Sequence, residues 1–315
     1  MLNRRRLRIK ALHYLYAFHQ AGNNDVAKME KELLAGVEKV NELFLWYASL
    51  FGELVHYANI EIERGRNKRL PSYEDLNPNL RFVENKVFHA IIESKELNQR
   101  IQQKKISWVG EQELVKKIFL ELKAQTYFQD YMLKPDFSFE TERSFAEKIC
   151  TRFFPFCEPL QFFLEEKNII WIDDHEVVLT ALQRTIKKIK DQATLPFLIP
   201  SLYKDEEDDR KFMLELFRKT LMPVDSFEEM ISEKTKNWEI ERLAVIDVIL
   251  IKMALTEAIY FPNIPVKVTL NEYIELAKQY STPKSQQFVN GILDNIFSDL
   301  KKSGRIKKTG RGLVE

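Results

Sequence analysis

Leu243-Ala-Val-Ile-Asp-Val-Ile-Leu-Ile251 decides the fold class. Extended to about 239–260, the segment reads as a helix that is apolar on almost every side. A helix of that kind is buried in the middle of a bundle, because every face must find an apolar neighbour. Asp247, Lys252 and Glu257 interrupt it singly. A charge on a mostly buried helix must pair with a neighbour or open onto a partner surface. Pairing is the simpler reading for Lys252, whereas Asp247 is a candidate for a partner-facing charge.

Working outward, the whole chain reads as all-α. It has nine glycines in 315 residues and none between Gly110 and Gly291. Sheets joined by tight hairpins need positive-φ turns, usually supplied by Gly or Asn-Gly. The one Asn-Gly, Asn290-Gly291, sits inside a helical pattern. Spacing predicts helices over about 4–20, 25–65, 79–104, 108–132, 174–190, 206–221, 225–236, 239–260, 269–280 and 283–300. Pro71 and Pro78 bracket a loop. The Phe-rich stretch 140–166 is interrupted by Pro155 and Pro159. Thr282-Pro283 reads as an N-cap and first turn. The acidic run Asp205 to Asp209 reads as a helix start suited to the dipole. The segment 301–315 reads as a disordered basic tail.

Charge is segregated along the chain. The formal net charge is +1, from 48 basic and 47 acidic side chains. Residues 1–10 hold Arg4, Arg5, Arg6, Arg8 and Lys10 with no acid, and residues 301–315 hold six basic side chains with one acid, Glu315. The 290 residues between them hold 37 basic and 46 acidic side chains, a net of −9. Such polarity suggests a polyanion or an acidic partner met at the ends and not over the whole surface. Arginines opening a helix oppose its macrodipole by roughly 0.3–1 kcal/mol each. Their planar forks suit phosphate, which makes the N-terminal set a candidate phosphate contact; the bland alternative is a frayed, solvated basic end.

Catalytic chemistry finds no home in this sequence. Five scattered histidines show no metal spacing, and no phosphate loop, dinucleotide fingerprint or HExxH motif is present. Ser281 to Lys284 matches Ser-x-x-Lys only at the level of chance. Cys150 and Cys157 read as two reduced core thiols, which suits a cytoplasmic protein. No window reaches 18 uncharged apolar residues, so no membrane span is expected. The chain reads as a binding protein without cofactor or metal.

Four stretches resemble one known family. Asn3-Arg-Arg-Arg-Leu-Arg-Ile-Lys-Ala-Leu-His-Tyr-Leu-Tyr16 resembles the Arg-rich first helix of the NusB transcription antitermination factors. Glu241 to Glu257 is similar to their central buried helix. Ile264-Pro-Val-Lys-Val-Thr-Leu-Asn-Glu-Tyr-Ile-Glu-Leu-Ala-Lys278 and Ser285-Gln-Gln-Phe-Val-Asn-Gly-Ile-Leu-Asp294 are similar to the two helices that follow it, at the family's spacing. The resemblance covers about residues 1–20 and 205–300, leaving 21–204 as a helical insertion of unassigned role.

The resemblance implies a partner set. Family members pair with the small-subunit ribosomal protein that serves as NusE, bind the boxA element of nascent ribosomal RNA, and help RNA polymerase read through terminators. Carried over by motif, Arg4, Arg5, Arg6, Arg8 and Lys10 would meet RNA phosphates. Phe288, flanked by Gln286 and Gln287, would stack on a base or be buried in the core. Tyr16 and Asp247 would meet the ribosomal protein. Asn290 and Gly291 would serve packing. The chain departs from the family at Gln286-Gln287, where His-Lys is frequent, and at Lys284, where an acid is common. Two other readings compete. One is a helical scaffold or ribosome-assembly factor on the same fold. The other is an RNA cytosine methyltransferase, which the lack of a methyl-donor Gly motif and a catalytic Cys motif disfavours.

Overall fold

A computed structural model describes residues 1–22, 25–190, 197–222, 225–234 and 244–313. Every regular element among them is helical, and none is long and apolar enough to cross a membrane. In chain order the α-helices are α1 (Arg4–Ala21), α2 (Val26–Arg66), α3 (Tyr73–Leu76), α4 (Lys86–Ile92), α5 (Lys95–Lys104), α6 (Gln112–Lys123), α7 (Thr126–Leu133) and α8 (Phe139–Lys148). They continue as α9 (Glu158–Lys167), α10 (His175–Lys188), α11 (Glu206–Leu221), α12 (Asp225–Lys234), α13 (Val245–Tyr260), α14 (Val266–Tyr280) and α15 (Ser285–Lys302). The chain forms two compact units. One is Gly36–Leu202 with Met1; the other joins Leu2–Ala35 to Tyr203–Glu315.

The larger unit is built on α2 from Gly36 onward and has an aromatic core. Phe82 lies within 6.2 Å, centroid to centroid, of Phe88, Phe119, Phe128 and Phe145. Trp46 meets Trp108 and Phe163 edge-on. The helix expected over 79–104 begins only at Lys86 and is broken at Ser94, both by local hydrogen bonding. Ser94 caps α5, accepting from Leu97 N while its hydroxyl donates to Phe197 O. Asn85 caps α4. The loop between Pro71 and Pro78 holds one short helix, α3, closed by a Ser72–Asp75 capping box.

Pro155 lacks an N–H and its ring crowds the carbonyl four residues back, so the α-ladder cannot continue through it. The chain loosens into a π-turn over Ile149–Phe153 and tightens into a 3₁₀ turn over Phe154–Phe156. Cys150 and Cys157 are buried and unbridged. Burial raises both thiols, Cys157 to about 12, so neither is a ready nucleophile.

The smaller unit is a bundle around α13. Leu250, Ile251, Met253, Ala254 and Leu255 are fully buried. Fully burying side chains of the Leu, Ile and Met size stabilises by about 1.5–3 kcal/mol each. That gain lets the helix carry Glu257, itself 0% exposed. Glu257 is held by Arg8 of α1 through two bonds of 2.7 and 2.8 Å. The hydroxyls of Thr269 (2.9 Å) and Tyr273 (3.3 Å) donate to the same carboxylate. Lys252 pairs with Glu228 of α12 at 2.6 Å. The start of α2 belongs here because Glu30 pairs with Arg218 of α11.

Helix directions follow from these contacts. Arg5 and Arg8 meet Glu272 of α14, and His13 meets Tyr280 at 5.4 Å, so α1 runs parallel to α14. The turn at Phe261–Pro265 sends α14 back along α13, and Ser281–Lys284 sends α15 back along α14. The helix expected over 239–260 is seen from Val245, and residues 235–243 lie outside the described set. The sequence also marks Leu195-Pro196 to Pro200 as a connector; residues 197–200 are non-helical, and 195 and 196 lie outside the described set. α15 begins at Ser285, not at the expected Thr282-Pro283. Thr282 instead shares a hydroxyl bond of 2.8 Å with Ser285.

Two stability predictions follow from these buried groups. Replacing Glu257 with Gln leaves Arg8 as a buried charge with only the 3.5 Å contact to Glu272, and about 3–5 kcal/mol should be lost in urea unfolding. The double replacement Arg8→Met with Glu257→Met should recover most of that loss. In the larger unit, burial holds His175 down at about 4, from an ordinary value near 6.5, beside the Tyr47 hydroxyl at 2.8 Å. The folded state therefore keeps a neutral imidazole. Its stability contribution is complete above pH 6.5 and is lost as pH falls from 6.5 toward 4. His175→Gln should remove that part of the acid-side slope.

Candidate nucleic-acid and partner interface

The basic opening of α1 is compensated within the bundle. Asn3 caps the helix, its side chain accepting from Arg6 N at 3.0 Å. Arg4 pairs with Asp208 and, at 3.2 Å, with Asp209 of α11. Its guanidinium lies 4.1 Å from the centroid of Phe212. Arg5 grips Glu272 bidentately at 2.8 Å in both bonds. Burial pushes the Glu272 carboxyl up, but the Arg5 bond and the Arg8 charge pull it lower still, below its usual range. The acidic run at 205–209 thus both caps α11 and clamps α1.

Two expected phosphate contacts are corrected by burial. Arg8 is 3% exposed and Lys10 1%. The Arg8 fork is closed by Glu257, and a buried pair of that kind costs several kcal/mol to break. Arg4, Arg5 and Arg6 stay at or near the surface. Pairs as exposed as Arg4 with Asp208 contribute only about 0–1 kcal/mol. An RNA phosphate can displace the exposed Asp208 from Arg4 at little cost, and not Glu257 from Arg8.

The other candidates gather toward the opposite end of the bundle. Tyr16 lies eleven residues beyond Arg5 along α1, roughly 16 Å at 1.5 Å per residue. It is 37% exposed. Asp247, in the first turn of α13, is buried. Its Oδ2 accepts from Ser285 Oγ at 2.7 Å, tying α13 to the start of α15. Its Oδ1 is buried with no hydrogen-bond partner among the described residues. Gln286 and Phe288 are half-buried and Gln287 is exposed. The structure therefore brings Tyr16, Asp247 and Gln286–Phe288 to one end and sets Arg4 and Arg5 toward the other.

Gly291 does not serve packing, as was expected. A Cβ built there meets nothing within 4 Å. It leaves a gap on the exposed face of α15, one turn from Gln287. Among the described residues no three His, Cys, Asp or Glu side chains gather as a metal site.

Comparison with known proteins bears on this arrangement. The family model described as "NusB family" matches residues 176–298. The "Transcription antitermination protein NusB" of Salinibacter ruber is 47% identical over 110 residues, covering 35% of this chain and 69% of the relative. That of Bacillus subtilis is 41% identical over 99 residues, covering 31% of this chain and 76% of the relative. This chain belongs to the NusB family. A third relative, from Chloroherpeton thalassium, is 35% identical over 130 residues, 41% of this chain and 62% of its own length. No solved structure matches the chain. The NusB match spans Asp247 and Gln286–Phe288 and stops short of both basic ends.

Sequence reasoning passed over Asp208, Asp209 and Glu272 as partners of the arginines. The signal available was the number of acids elsewhere in the chain, which does not say which of them fold back onto α1. The gap at Gly291 yields a stability prediction. Gly in a helix interior costs about 0.5–1 kcal/mol relative to Ala. Gly291→Ala should raise the urea midpoint by that amount, since the new methyl enters open space.

Proposed function

We propose that this protein is an RNA-binding transcription antitermination factor. It binds a boxA-type element of nascent ribosomal RNA together with the small-subunit ribosomal protein NusE, and helps RNA polymerase read through terminators. The supporting observation is the NusB-family helix α15, which holds Phe288 half-buried beside an exposed Gln287 and an open gap at Gly291. Single-stranded RNA is taken up through aromatic faces for unstacked bases and basic side chains for the backbone. Arg4, Arg5 and Arg6 supply the backbone contact in this reading. For the ribosomal protein, Asp247 offers a carboxylate oxygen that has no donor among the described residues, toward the same end as a partly exposed Tyr16. A basic partner suits a body of net −9.

The test is a titration of boxA-type RNA with the chain, with and without the ribosomal protein, across salt. Each phosphate contact on a single strand contributes about 0.7 to the slope of log K against log salt. Arg4→Ala with Arg5→Ala and Arg6→Ala should flatten that slope by about 2. Asp247→Asn keeps an acceptor for Ser285 and removes the charge. It should weaken the heterodimer about ten-fold or more while leaving helicity unchanged. An unaltered salt slope would sink the role of α1. Pairing with the ribosomal protein in the absence of any RNA binding would favour the scaffold reading.

A further inference from the structure

The C-terminal segment expected to be disordered is docked. Beyond α15, Gly304 takes φ +67 and turns the chain back, with Arg305 N donating to Leu300 O at 3.0 Å. Residues 308–312 then lie along the turn between α13 and α14. Lys308 Nζ donates to Phe261 O at 3.0 Å, Thr309 N to Pro262 O at 3.1 Å, and Thr309 Oγ1 to Asn263 Oδ1 at 3.2 Å. Gly312 passes so close that a Cβ would fall 1.9 Å from Pro262 O. These bonds anchor the segment, and Lys308 is held in place.

Between this segment and the helices α14 and α15 lies a cleft of about 590 Å³. Val266, Leu270, Phe297 and Ile306 give it apolar walls, and Lys267, Lys301 and Lys308 give it a basic rim. Asp294 is the one acid among its lining residues, an acceptor suited to the exocyclic amine of a base. The volume lies in the range of small-ligand sites. Apolar walls with cations at the mouth match a base with its flanking phosphates.

A continuous surface leads to this cleft. Gln287, Gly291, Asp294, Ser298 and Lys301 are all exposed, and their spacing of four and three residues puts them on one face of α15. Opposite them, Val289, Leu293, Ile296 and Leu300 are buried. The stripe runs from the Phe288 end of the bundle to the cleft, roughly 20 Å along the axis. The cleft lies toward the Arg4 end: Phe212, under Arg4, meets Phe261 at 5.1 Å, and Phe261 carries the carbonyl that holds Lys308.

We propose that the cleft formed by Val266, Leu270, Phe297, Lys267, Lys301 and the docked C-terminal segment is a nucleotide-binding subsite for single-stranded RNA. The outer face of α15 carries the strand to it from Phe288. This site rests on the RNA-binding reading above and adds to it a second, distant contact. It assigns the basic C-terminal segment a built role, distinct from that of a loose polycation, because both its charge and its docking are needed.

The experiment is fluorescence anisotropy of the full chain with boxA-type RNAs of increasing length, across salt. Lys267→Ala with Lys301→Ala should flatten the salt slope by about 1.4. Ser298→Trp fills the cleft from an exposed position and removes no charge; affinity should fall about ten-fold with the slope nearly unchanged. Gly312→Val forces a side chain into Pro262 O, releases the segment and keeps every charge; it should lose affinity to the same degree. Each loss should vanish for an RNA too short to reach from Phe288 to the cleft. Full affinity in both Ser298→Trp and Gly312→Val would overturn the subsite and leave only a polycation effect. No binding by the unaltered chain, with or without the ribosomal protein, would overturn the RNA reading and the subsite together. Thermal midpoints within a few degrees of the unaltered chain confirm that the Lys267, Lys301 and Ser298 variants, all at exposed positions, report on binding.

Discussion

The bundle that carries the family's features is organised around one buried ion pair, Arg8 with Glu257. A carboxylate at 0% exposure in the middle of an apolar helix is tolerable only if its charge and its lone pairs are met. Arg8 meets both oxygens, and the hydroxyls of Thr269 and Tyr273 complete the shell. Burial works against the Arg8 cation, yet Glu257 holds it firmly protonated. Three helices, α1, α13 and α14, are thereby fixed in direction and register, since the pair forms only when Arg8, Glu257 and Thr269 arrive together.

That constraint divides the arginine cluster. Helix periodicity sends Arg8 inward from the first turns of α1 while leaving Arg4 and Arg5 at the rim. At the rim the exposed Asp208 is exchangeable, because exposed pairs gain little over solvent. The macrodipole cost of basic residues at a helix N-terminus, a few tenths to one kcal/mol each, is small beside what the buried pair holds together. A basic helix start therefore need not signal a ligand. In this chain it signals first that α11 and α14 lie alongside with Asp208, Asp209 and Glu272.

How far the sequence could be read depended on whether a feature is local. Helix existence and fold class were legible from apolar periodicity and scarce glycine. Lys252 was expected to pair and does, with Glu228. Interruptions set by side-chain capping at Ser94 and Asn85 were not legible, because capping competes with propensity over one or two residues. The family resemblance implies a packing and loop-bonding role for Gly291. Only its surroundings show that the missing side chain faces open space. The segment after Gly304 was read as loose from its composition, but its order comes from backbone carbonyls of the turn at Phe261–Asn263, which composition does not report.

The sequence by itself determined an all-helical chain, an apolar central helix at α13, two basic ends and the motifs that place it in the NusB family. These are properties of neighbouring residues, set by side-chain spacing at 3.6 per turn and by chain-local charge. Tertiary structure alone decided which arginines are internal, that Gln286–Phe288 and Arg4–Arg5 stand toward opposite ends, and that the C-terminal cations line a cleft. Those outcomes rest on contacts between residues far apart in the chain, from 38 positions for Ser285 with Asp247 to 249 for Arg8 with Glu257. A carboxylate attracts every arginine alike in sequence, and only packing selects the one it meets.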